Sequence, residues 1–231
     1  MSVHAEVQYS LWMQPTGAYT AERAAALSGV PKSTLHYWAR TRLIVPSVSH
    51  ERVKLWSYTD LMVVRTVYWL RATKTSTLGA EIPRTGMPLV RRAIAQLRAI
   101  GEPLWHPERN VFFVDQKGEL HVRQSDGIRS VRRQHVLPGA LDLIAPFASS
   151  EGLRGPDLAR PRASLRIAPG RLSGSPHVVS TRLETRAVAA LERDGLSPAR
   201  ILQLYPYVTA EQIAEAIDLE RQLEANIRAA A

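Results

Sequence analysis

The sequence predicts a mainly α-helical protein with a small β component, and three observations support this fold class. Several segments place apolar residues at helical spacing behind a capping residue. Residues 111–123 contain two β-rich runs on either side of Gln-Lys-Gly, a pattern typical of a hairpin. Residues 148–165 have closely spaced Pro and Gly, scattered arginines and no apolar period, which predicts a linker. We therefore expect two helical units, at 18–147 and 166–231, with residues 1–17 as an N-terminal arm.

Two short helices joined by a tight turn are predicted near the start of the first unit. Thr20 is suited to cap the first helix, and Gly29 can adopt the positive φ that a sharp turn requires. Ala25 provides a small side chain where the two helices approach each other. Leu35 and Trp38, three residues apart, fall on one face of the second helix and can pack against the first. The pattern indicates a helix-turn-helix.

The polar face of the second helix is predicted to contact DNA. With its apolar residues turned inward, this face can donate hydrogen bonds to phosphate oxygens and base edges. The predicted contacts are Lys32, Ser33, His36, Tyr37, Arg40 and Arg42. An ordinary helical hairpin with a solvated polar face is the alternative, because alanine-rich hairpins are common.

A further apolar helix, opened by Thr59, is predicted at residues 56–72. The order YTAERAAALSGVPKSTLHYWARTRLIVP followed by YTDLMVVRTVYWLR resembles the DNA-binding domain of the MerR family, over about residues 18–100. The resemblance implies a winged helix-turn-helix domain with the wing at 47–55, where Arg52 and Lys54 would touch phosphates. Two features depart from that family. The chain has no long heptad helix for an antiparallel dimer, and no cysteine for metal or redox sensing.

Composition supports a polyanionic partner. The formal net charge is +9, with 30 Lys and Arg against 21 Asp and Glu, so the potential attracts nucleic acid. Only four of the basic residues are lysines, and an arginine bias also follows from a GC-rich genome. The charge therefore favours nucleic-acid binding without specifying it.

Several function classes are disfavoured. The absence of cysteine excludes disulfides, thiol catalysis and thiolate metal sites, and the seven histidines show no helical pairing for a metal. There is no Gly-rich phosphate loop and no G-x-S-x-G motif, so we expect neither an enzyme nor a cofactor. No run reaches the roughly 18 apolar residues of a membrane helix, and the N-terminus lacks a signal-peptide pattern, so we expect a cytoplasmic protein.

The remainder of the first unit is expected to extend the DNA-binding domain. Residues 88–101 predict an amphipathic helix with Gly101 past its end. Beyond the hairpin, residues 130–136 alternate and predict a third strand, and a helix-scale apolar run follows at 137–147. Acidic residues that could serve a nucleic-acid enzyme occur only around the hairpin, where solvated turn acids are the simpler interpretation: Asp115, Glu119 and Asp126.

Three helices are predicted in the C-terminal unit. The first covers residues 185–194 and ends at Gly195, and Ser197 before Pro198 caps the second. Thr209 with Gln212 forms a capping-box pattern that opens the third. Three short helices with one apolar face each predict a compact module.

The C-terminal unit resembles a small bacterial domain, formerly of unknown function, that occurs in antitoxins. The resemblance rests on Gly174, Pro176, Thr181 and Arg182, then on Gly-Leu-Ser-Pro and a Tyr-Pro before a Thr-capped helix. Ser180 departs from the family, which usually has Gly there. For Thr181 and Arg182, anchoring of a turn is the preferred role over any catalytic one.

Together, the two resemblances identify the chain as similar to VapB-type antitoxins of a two-domain kind found in mycobacteria. They imply a cognate toxin, a PIN-type ribonuclease, and repression of the shared operon through operator DNA. The candidate toxin-binding residues are Arg160, Arg162, Arg166, Thr181 and Arg182. A stand-alone transcription regulator with a ligand-sensing or dimerising C-terminal unit is the alternative, and a nucleic-acid enzyme is a weaker one.

A homodimer is expected, because one recognition helix reads only a few base pairs. The helix at 59–71 is a candidate dimer contact, since it has little polar surface. The same pattern also suits a helix at the centre of its own domain, and the C-terminal helices are another candidate contact.

Overall fold

The computed structural model describes residues 17–75, 81–99, 111–124, 127–130 and 140–229. These residues form a mainly helical fold with small antiparallel sheets, which confirms the predicted fold class. Of the predicted N-terminal arm, only Gly17 lies within the described residues.

The first unit opens with a two-stranded sheet around the helical pair. Strand β1 (Tyr19–Thr20) pairs with β2 (Leu55–Trp56). Between them lie the two predicted helices of the helix-turn-helix, α1 (Ala21–Ser28) and α2 (Lys32–Arg40). Helix α3 (Tyr58–Arg71) follows. Its cap is Ser57 and not the predicted Thr59, because the Ser57 hydroxyl accepts from the Asp60 N–H while the Asp60 carboxylate accepts from the Ser57 N–H.

Helix α4 and a small sheet complete the first unit. The strands β3 (Lys74–Thr75) and β4 (Glu81–Ile82) precede α4 (Met87–Ala99), and α4 confirms the predicted amphipathic helix. The predicted hairpin is also confirmed, with Gly118 at φ 71. The hairpin belongs to a four-stranded sheet formed by β5 (Val111–Val114), β6 (Leu120–Gln124), β7 (Gly127–Ser130) and β8 (Leu141–Asp142). The strands lie in the order β7-β6-β5-β8.

Two predictions after the hairpin are corrected. The third strand begins before the predicted segment, at Gly127, and residues 131–139 lie outside the described residues. The helix predicted at 137–147 is wrong over the described residues from 140, which form β8 and an irregular turn. The cause is the Asp142 carboxylate, which accepts from the Ile144 and Ala145 N–H groups and so holds the backbone in a turn.

The segment predicted as a linker is folded. Strand β9 (Phe147–Ala148) pairs with β10 (Arg154–Gly155), and Leu153 and Leu158 are buried. The Tyr58 hydroxyl of α3 donates to the Leu158 carbonyl at 2.8 Å. The apolar residues of this segment pack into the core from turns and are irregularly spaced. The sequence therefore shows no helical or strand period here.

The C-terminal unit confirms the three predicted helices and their caps. They are α5 (Thr185–Arg193), α6 (Pro198–Leu204) and α7 (Ala210–Ala229), preceded by the paired strands β11 (Leu165–Arg166) and β12 (His177–Val178). Ser197 caps α6, and Thr209 and Gln212 exchange the two capping-box hydrogen bonds. Helix α7 has 20 residues and is longer than the short helix predicted.

Helix α7 packs against both α5 and α1, so the two units share one hydrophobic core. Arg23 of α1 forms a bidentate ion pair with the buried Glu220 of α7, at 2.6 and 2.7 Å. The Asn226 side chain donates to the Ala26 carbonyl at 3.0 Å. The first helix of the helix-turn-helix is therefore covered by the last helix of the chain.

Helix α3 lies at the centre of the first unit, which contradicts its prediction as a dimer contact. Its apolar side chains are fully buried within the chain: Leu61, Met62, Val63, Val64, Val67 and Leu70. Tyr68 and Trp69 are half-buried and pack against the same core. The apolar circumference that suggested a dimer surface is thus covered by α1, α4 and the folded segment after β8.

A fully buried arginine holds four segments together. The Arg65 guanidinium of α3 donates hydrogen bonds of 2.5–3.4 Å to six backbone carbonyls, those of Leu27, Ser28, Leu143, Ile144, Ala145 and Pro156. Burial lowers the pKa of Arg65 to about 10, so it stays protonated at neutral pH. Leu27 and Ser28 are the last residues of α1, where backbone carbonyls have no partner within the helix. The positively charged Arg65 guanidinium donates to both of these carbonyls.

Candidate nucleic-acid interface

The turn between α1 and α2 is built on one glycine with two constraints. Gly29 has φ 70, the left-handed conformation that ends α1. A Cβ atom at this position would lie 2.5 Å from the Gly155 backbone nitrogen. The turn therefore requires glycine for its own geometry and for its contact with β10. The Thr20 hydroxyl accepts from the Arg23 N–H and caps α1, as predicted.

Helix α2 has one buried face and one exposed face. Leu35 is fully buried and Trp38 is 7% exposed, so both pack inward as predicted. The Tyr37 side chain is 54% exposed, and the Arg40 guanidinium carbon lies 5.9 Å from its ring centroid. The other exposed residues of this face are Ser33 and His36. The face thus presents stacked cation and ring groups beside small hydrogen-bonding groups, and their contact with DNA stays a prediction.

Lys32, at the start of α2, is already paired with a carboxylate. Its Nζ lies 2.6 Å from Oε1 of Glu22 in α1, on the protein surface. The hydrogen bond from Lys32 and its charge hold the pKa of Glu22 below its ordinary value. A negative group therefore lies beside the face predicted to meet phosphates, and sequence analysis did not identify it.

The segment predicted as the wing is a short loop whose base is fixed to α3. The Ser47 N–H and hydroxyl donate to the Asp60 carboxylate at 2.8 and 2.7 Å, and Ser49 bridges to Leu55. Between these anchors the exposed residues are His50, Glu51, Arg52 and Val53, and Lys54 is half-buried. Arg42, at φ 56 in the turn after α2, is exposed as well.

Most of the residues proposed for toxin binding are engaged within the chain. Arg162 reaches Asp218 and Gln222 of α7, each at 2.7 Å, and Arg166 donates to the Ala163 and Leu165 carbonyls. Arg160 and Arg182 are exposed.

Thr181 anchors a turn. Its hydroxyl donates to the Val178 carbonyl at 2.9 Å and accepts from the Leu183 N–H at 3.1 Å. Ser180, which replaces the usual glycine, has φ 60, so the turn keeps the left-handed geometry at that position. The turn-anchoring role preferred from the sequence is the one found for Thr181.

Two family models match separate parts of the chain. Residues 19–79 match the family described as "MerR HTH family regulatory protein". The chain carries a MerR-type helix-turn-helix domain. Residues 166–218 match the family described as "Protein of unknown function (DUF433)", which is associated with antitoxins. No curated protein and no solved structure matches the chain.

The DUF433 domain contains a basic, aromatic groove of about 650 Å³ that sequence analysis missed. Three arginines, two tyrosines and one glutamate are among its lining residues: Arg182, Glu184, Arg186, Arg193, Tyr205 and Tyr207. Arg186 forms an ion pair with Glu184 at 2.5 Å, and Arg193 forms one with Glu224 at 3.2 Å. Tyr207 is 63% exposed, its ring meets that of Tyr205 edge-on at 6.0 Å, and the nearby Leu204 is 48% exposed. The lining residues come from α5 and from the segments that precede α5 and follow α6, so only the fold brings them together.

The acidic residues considered for catalysis have structural partners. Asp115 accepts from the Lys117 and Glu119 N–H groups in the hairpin turn and contacts His121 at 3.1 Å. Glu119 pairs with Arg92 of α4 at 3.0 Å, and Asp126 lies outside the described residues. Within the described ranges, no group of acidic, His or Cys side chains could hold a metal, and no helix is long and apolar enough to cross a membrane.

Proposed function

We propose that this protein is an antitoxin of the VapB type, which represses its own operon by binding operator DNA and neutralises a PIN-type ribonuclease. The DNA-binding part of this proposal rests on the polar, exposed face of α2. The opposite face of α2 packs into the core through the buried side chains of Leu35 and Trp38. The MerR match over residues 19–79 supports the same role.

DNA would be held by the α2 face and the wing. Arg40 and Lys32 contribute phosphate or base contacts, and His36 and Tyr37 are candidates for reading bases. Arg42 in the turn after α2 and Arg52 and Lys54 in the wing would add phosphate contacts. The net charge of +9 favours encounter with DNA before any specific contact forms.

Quantitative footprinting across salt concentrations tests this surface. We expect Arg40→Ala to weaken specific binding by about 1–3 kcal/mol if Arg40 makes a bidentate base contact, and each lost phosphate contact to lower the salt slope by about 0.9. Arg228→Ala, an exposed arginine near the end of α7, provides the same charge change away from this face. Wild-type affinity and slope in both Arg40→Ala and Lys32→Ala would refute the assignment.

The toxin would bind the DUF433 domain, and the groove around Arg182 is the best-supported surface for it. Arginine and tyrosine are the residues most enriched where binding energy concentrates in protein interfaces. The exposed Arg182 suits the acidic metal site of a PIN-type nuclease, whereas Arg162 and Arg166 form internal contacts. The other two groove arginines are in ion pairs, Arg186 with Glu184 and Arg193 with Glu224. Arg182 is therefore the leading candidate among the five residues predicted to bind the toxin, since it is the one of them that lines the groove.

Coexpression with the neighbouring reading frame tests toxin binding. The wild-type chain should rescue growth and copurify with the toxin, and Arg182→Glu together with Tyr207→Ala should abolish both while operator binding is retained. Arg200→Glu, on the exposed side of α6 but outside the groove, is the matched control. Rescue that survives the groove variant would place the toxin surface elsewhere.

A stand-alone transcription regulator is the second candidate. The contact of α7 with α1 favours it, because a ligand on the C-terminal unit would act directly on the reading domain. Such a regulator would purify from its host without a stoichiometric partner.

In either case we propose a homodimer on a two-fold symmetric operator with half-sites about 34–36 Å apart. Sedimentation of the free protein tests this, and a monomer that occupies a single half-site at full affinity would contradict it. The dimer contact would lie outside α3, which is internal.

A further inference from the structure

A second pocket lies directly beside the recognition helix. It has a volume of about 480 Å³, within the range of small-ligand sites, and it is bounded by the end of α2 and by residues of α3 and α4. Neither the family matches nor the proposed contacts of α2 account for this pocket.

The charged residues that line the pocket, among those the structure describes, are all arginines. Arg42, Arg71 and Arg91 come from three different parts of the chain. Arg71 is fixed by a hydrogen bond of 3.0 Å from its guanidinium to the Thr85 carbonyl. Arg42 and Arg91 form no ion pair with any residue in the described part of the chain. Three cations therefore line one pocket, and the described residues provide no carboxylate within it.

The rest of the lining suits a ligand with an anionic head and an apolar body. Trp38, Leu43, Met87 and Ile94 provide apolar and aromatic surface, and the Thr41 hydroxyl adds a hydrogen-bonding group. Planar guanidinium groups bind phosphate oxygens in pairs and stack on rings, which ammonium groups do not. Arg42 is held at φ 56, a conformation that non-glycine residues seldom adopt, so its backbone position is fixed by the turn after α2.

We propose that this pocket binds a phosphate group. Two sources have the same chemistry: a free phosphorylated small molecule, or a backbone phosphate of DNA that lies against the end of α2. Because Tyr37 and Arg42 belong to both the pocket and the predicted DNA face, a small ligand would occupy part of that face and oppose DNA binding. Only the DNA source rests on the proposed operator binding.

The free-ligand arm uses the full chain with inorganic phosphate and with a nucleoside monophosphate, at an ionic strength kept constant with chloride. Binding is followed by the fluorescence of Trp38, with Trp38→Phe identifying its signal, and by the shift in melting temperature. We expect saturable binding that Arg91→Gln weakens at least tenfold and that Arg228→Gln leaves unchanged. Arg91 is exposed on α4, so the melting curve of Arg91→Gln without ligand verifies that it folds.

The DNA arm measures salt dependence with the same variants. If a DNA phosphate occupies the pocket, Arg91→Gln lowers the salt slope by about 0.9 while neither small phosphate binds. Phosphate binding by a wild-type chain that binds no DNA would uphold the pocket and refute operator binding. Absence of small-phosphate binding together with a wild-type salt slope in Arg91→Gln would overturn the proposal.

Discussion

At the scale of single residues, Arg65 is the clearest case of a charge used for structure. It lies alone in the apolar stretch LMVVRTVYWL, and a single basic residue inside an otherwise apolar helix is itself a signal of a buried, paired cation. Its acceptors lie between 37 and 91 residues away along the chain, at the end of α1 and in two segments after β8 that have no regular period. The sequence could therefore indicate that Arg65 has partners, and it could not identify them.

Replacement of Arg65 should destabilise the protein severely. In Arg65→Met, several buried carbonyls lose their donor, and each costs about 1–3 kcal/mol, so we expect a total above about 3 kcal/mol. Arg65→Lys, with three donors, should be intermediate. Urea unfolding measures both, with Arg228→Met as the exposed control. An Arg65→Met protein as stable as the wild type would contradict the role of Arg65 as the tie between these segments.

Glu22 should weaken DNA binding in the wild-type protein. Glu22→Gln removes a carboxylate from the surface beside α2 and frees Lys32 from its ion pair. We therefore expect tighter DNA binding and a salt slope steeper by about 0.9, because one more cation meets a phosphate. Fluorescence anisotropy at several salt concentrations measures the change. Glu151→Gln, an exposed acid far along the chain, should leave the slope unchanged.

His177 should make stability depend on pH. It is buried in β12 with its Nδ1 2.9 Å from the Ser175 carbonyl, and burial lowers its pKa below the ordinary value. Below an unfolded pKa of about 6.5, the unfolded chain binds more protons than the folded one, so stability falls as the pH falls. Melting temperatures between pH 7.5 and 5.5 measure this. His177→Gln should flatten that slope, and a slope identical to the wild type would count against the assignment.

At the scale of elements, the helices with clear caps were predictable and the irregular segments were not. A capping residue bonds to the first turn of its own helix, so Thr20, Ser197 and Thr209 could be identified from the few residues that follow each of them in the sequence. The helix predicted at 137–147 failed because its apolar residues pack from a turn set by Asp142. The segment at 148–165 is predicted as a linker because its buried residues lie in turns and therefore are not spaced at a helical or strand period.

The contact between α1 and α7 can be tested by a double-mutant cycle. Arg23→Met leaves the Glu220 carboxylate buried with only the Thr185 hydroxyl, and we expect a cost of about 3–5 kcal/mol. The double variant Arg23→Met with Glu220→Met removes both charges and should recover much of that loss. Chemical denaturation measures all three proteins. Additive losses would show that the two residues do not act as a pair.

At the scale of the whole molecule, the described core predicts one cooperative unit. A fragment that ends at residue 147 would expose the face of α1 that α7 covers and leave Arg65 without its Pro156 acceptor. We expect this fragment to lack a cooperative thermal transition, whereas the full chain unfolds in one. Circular dichroism and tryptophan fluorescence measure the transitions. A fragment that melts cooperatively near the wild-type temperature would show two independent domains.

The candidate surfaces differ in how far the sequence could reveal them. The exposed face of α2 could be predicted from helical spacing. Leu35 and Trp38, three residues apart, mark the buried face, and the remaining positions of the helix therefore lie on the exposed one. The groove at Arg182 and the pocket at Arg91 combine residues from separate helices and turns, so no local pattern marks them. Prediction of these sites needs the packing of the helices, which local spacing does not contain.

The cover that α7 provides for α1 has a consequence for turnover in the cell. A protease that begins at α7 would remove the support of α1, against which the reading helix α2 packs, because the Arg23 guanidinium and the Ala26 carbonyl would lose Glu220 and Asn226 as partners. The time for which the protein can bind DNA would then be set by how long α7 survives proteolysis. Degradation of α7 would end the function of the helix-turn-helix and of the C-terminal unit together.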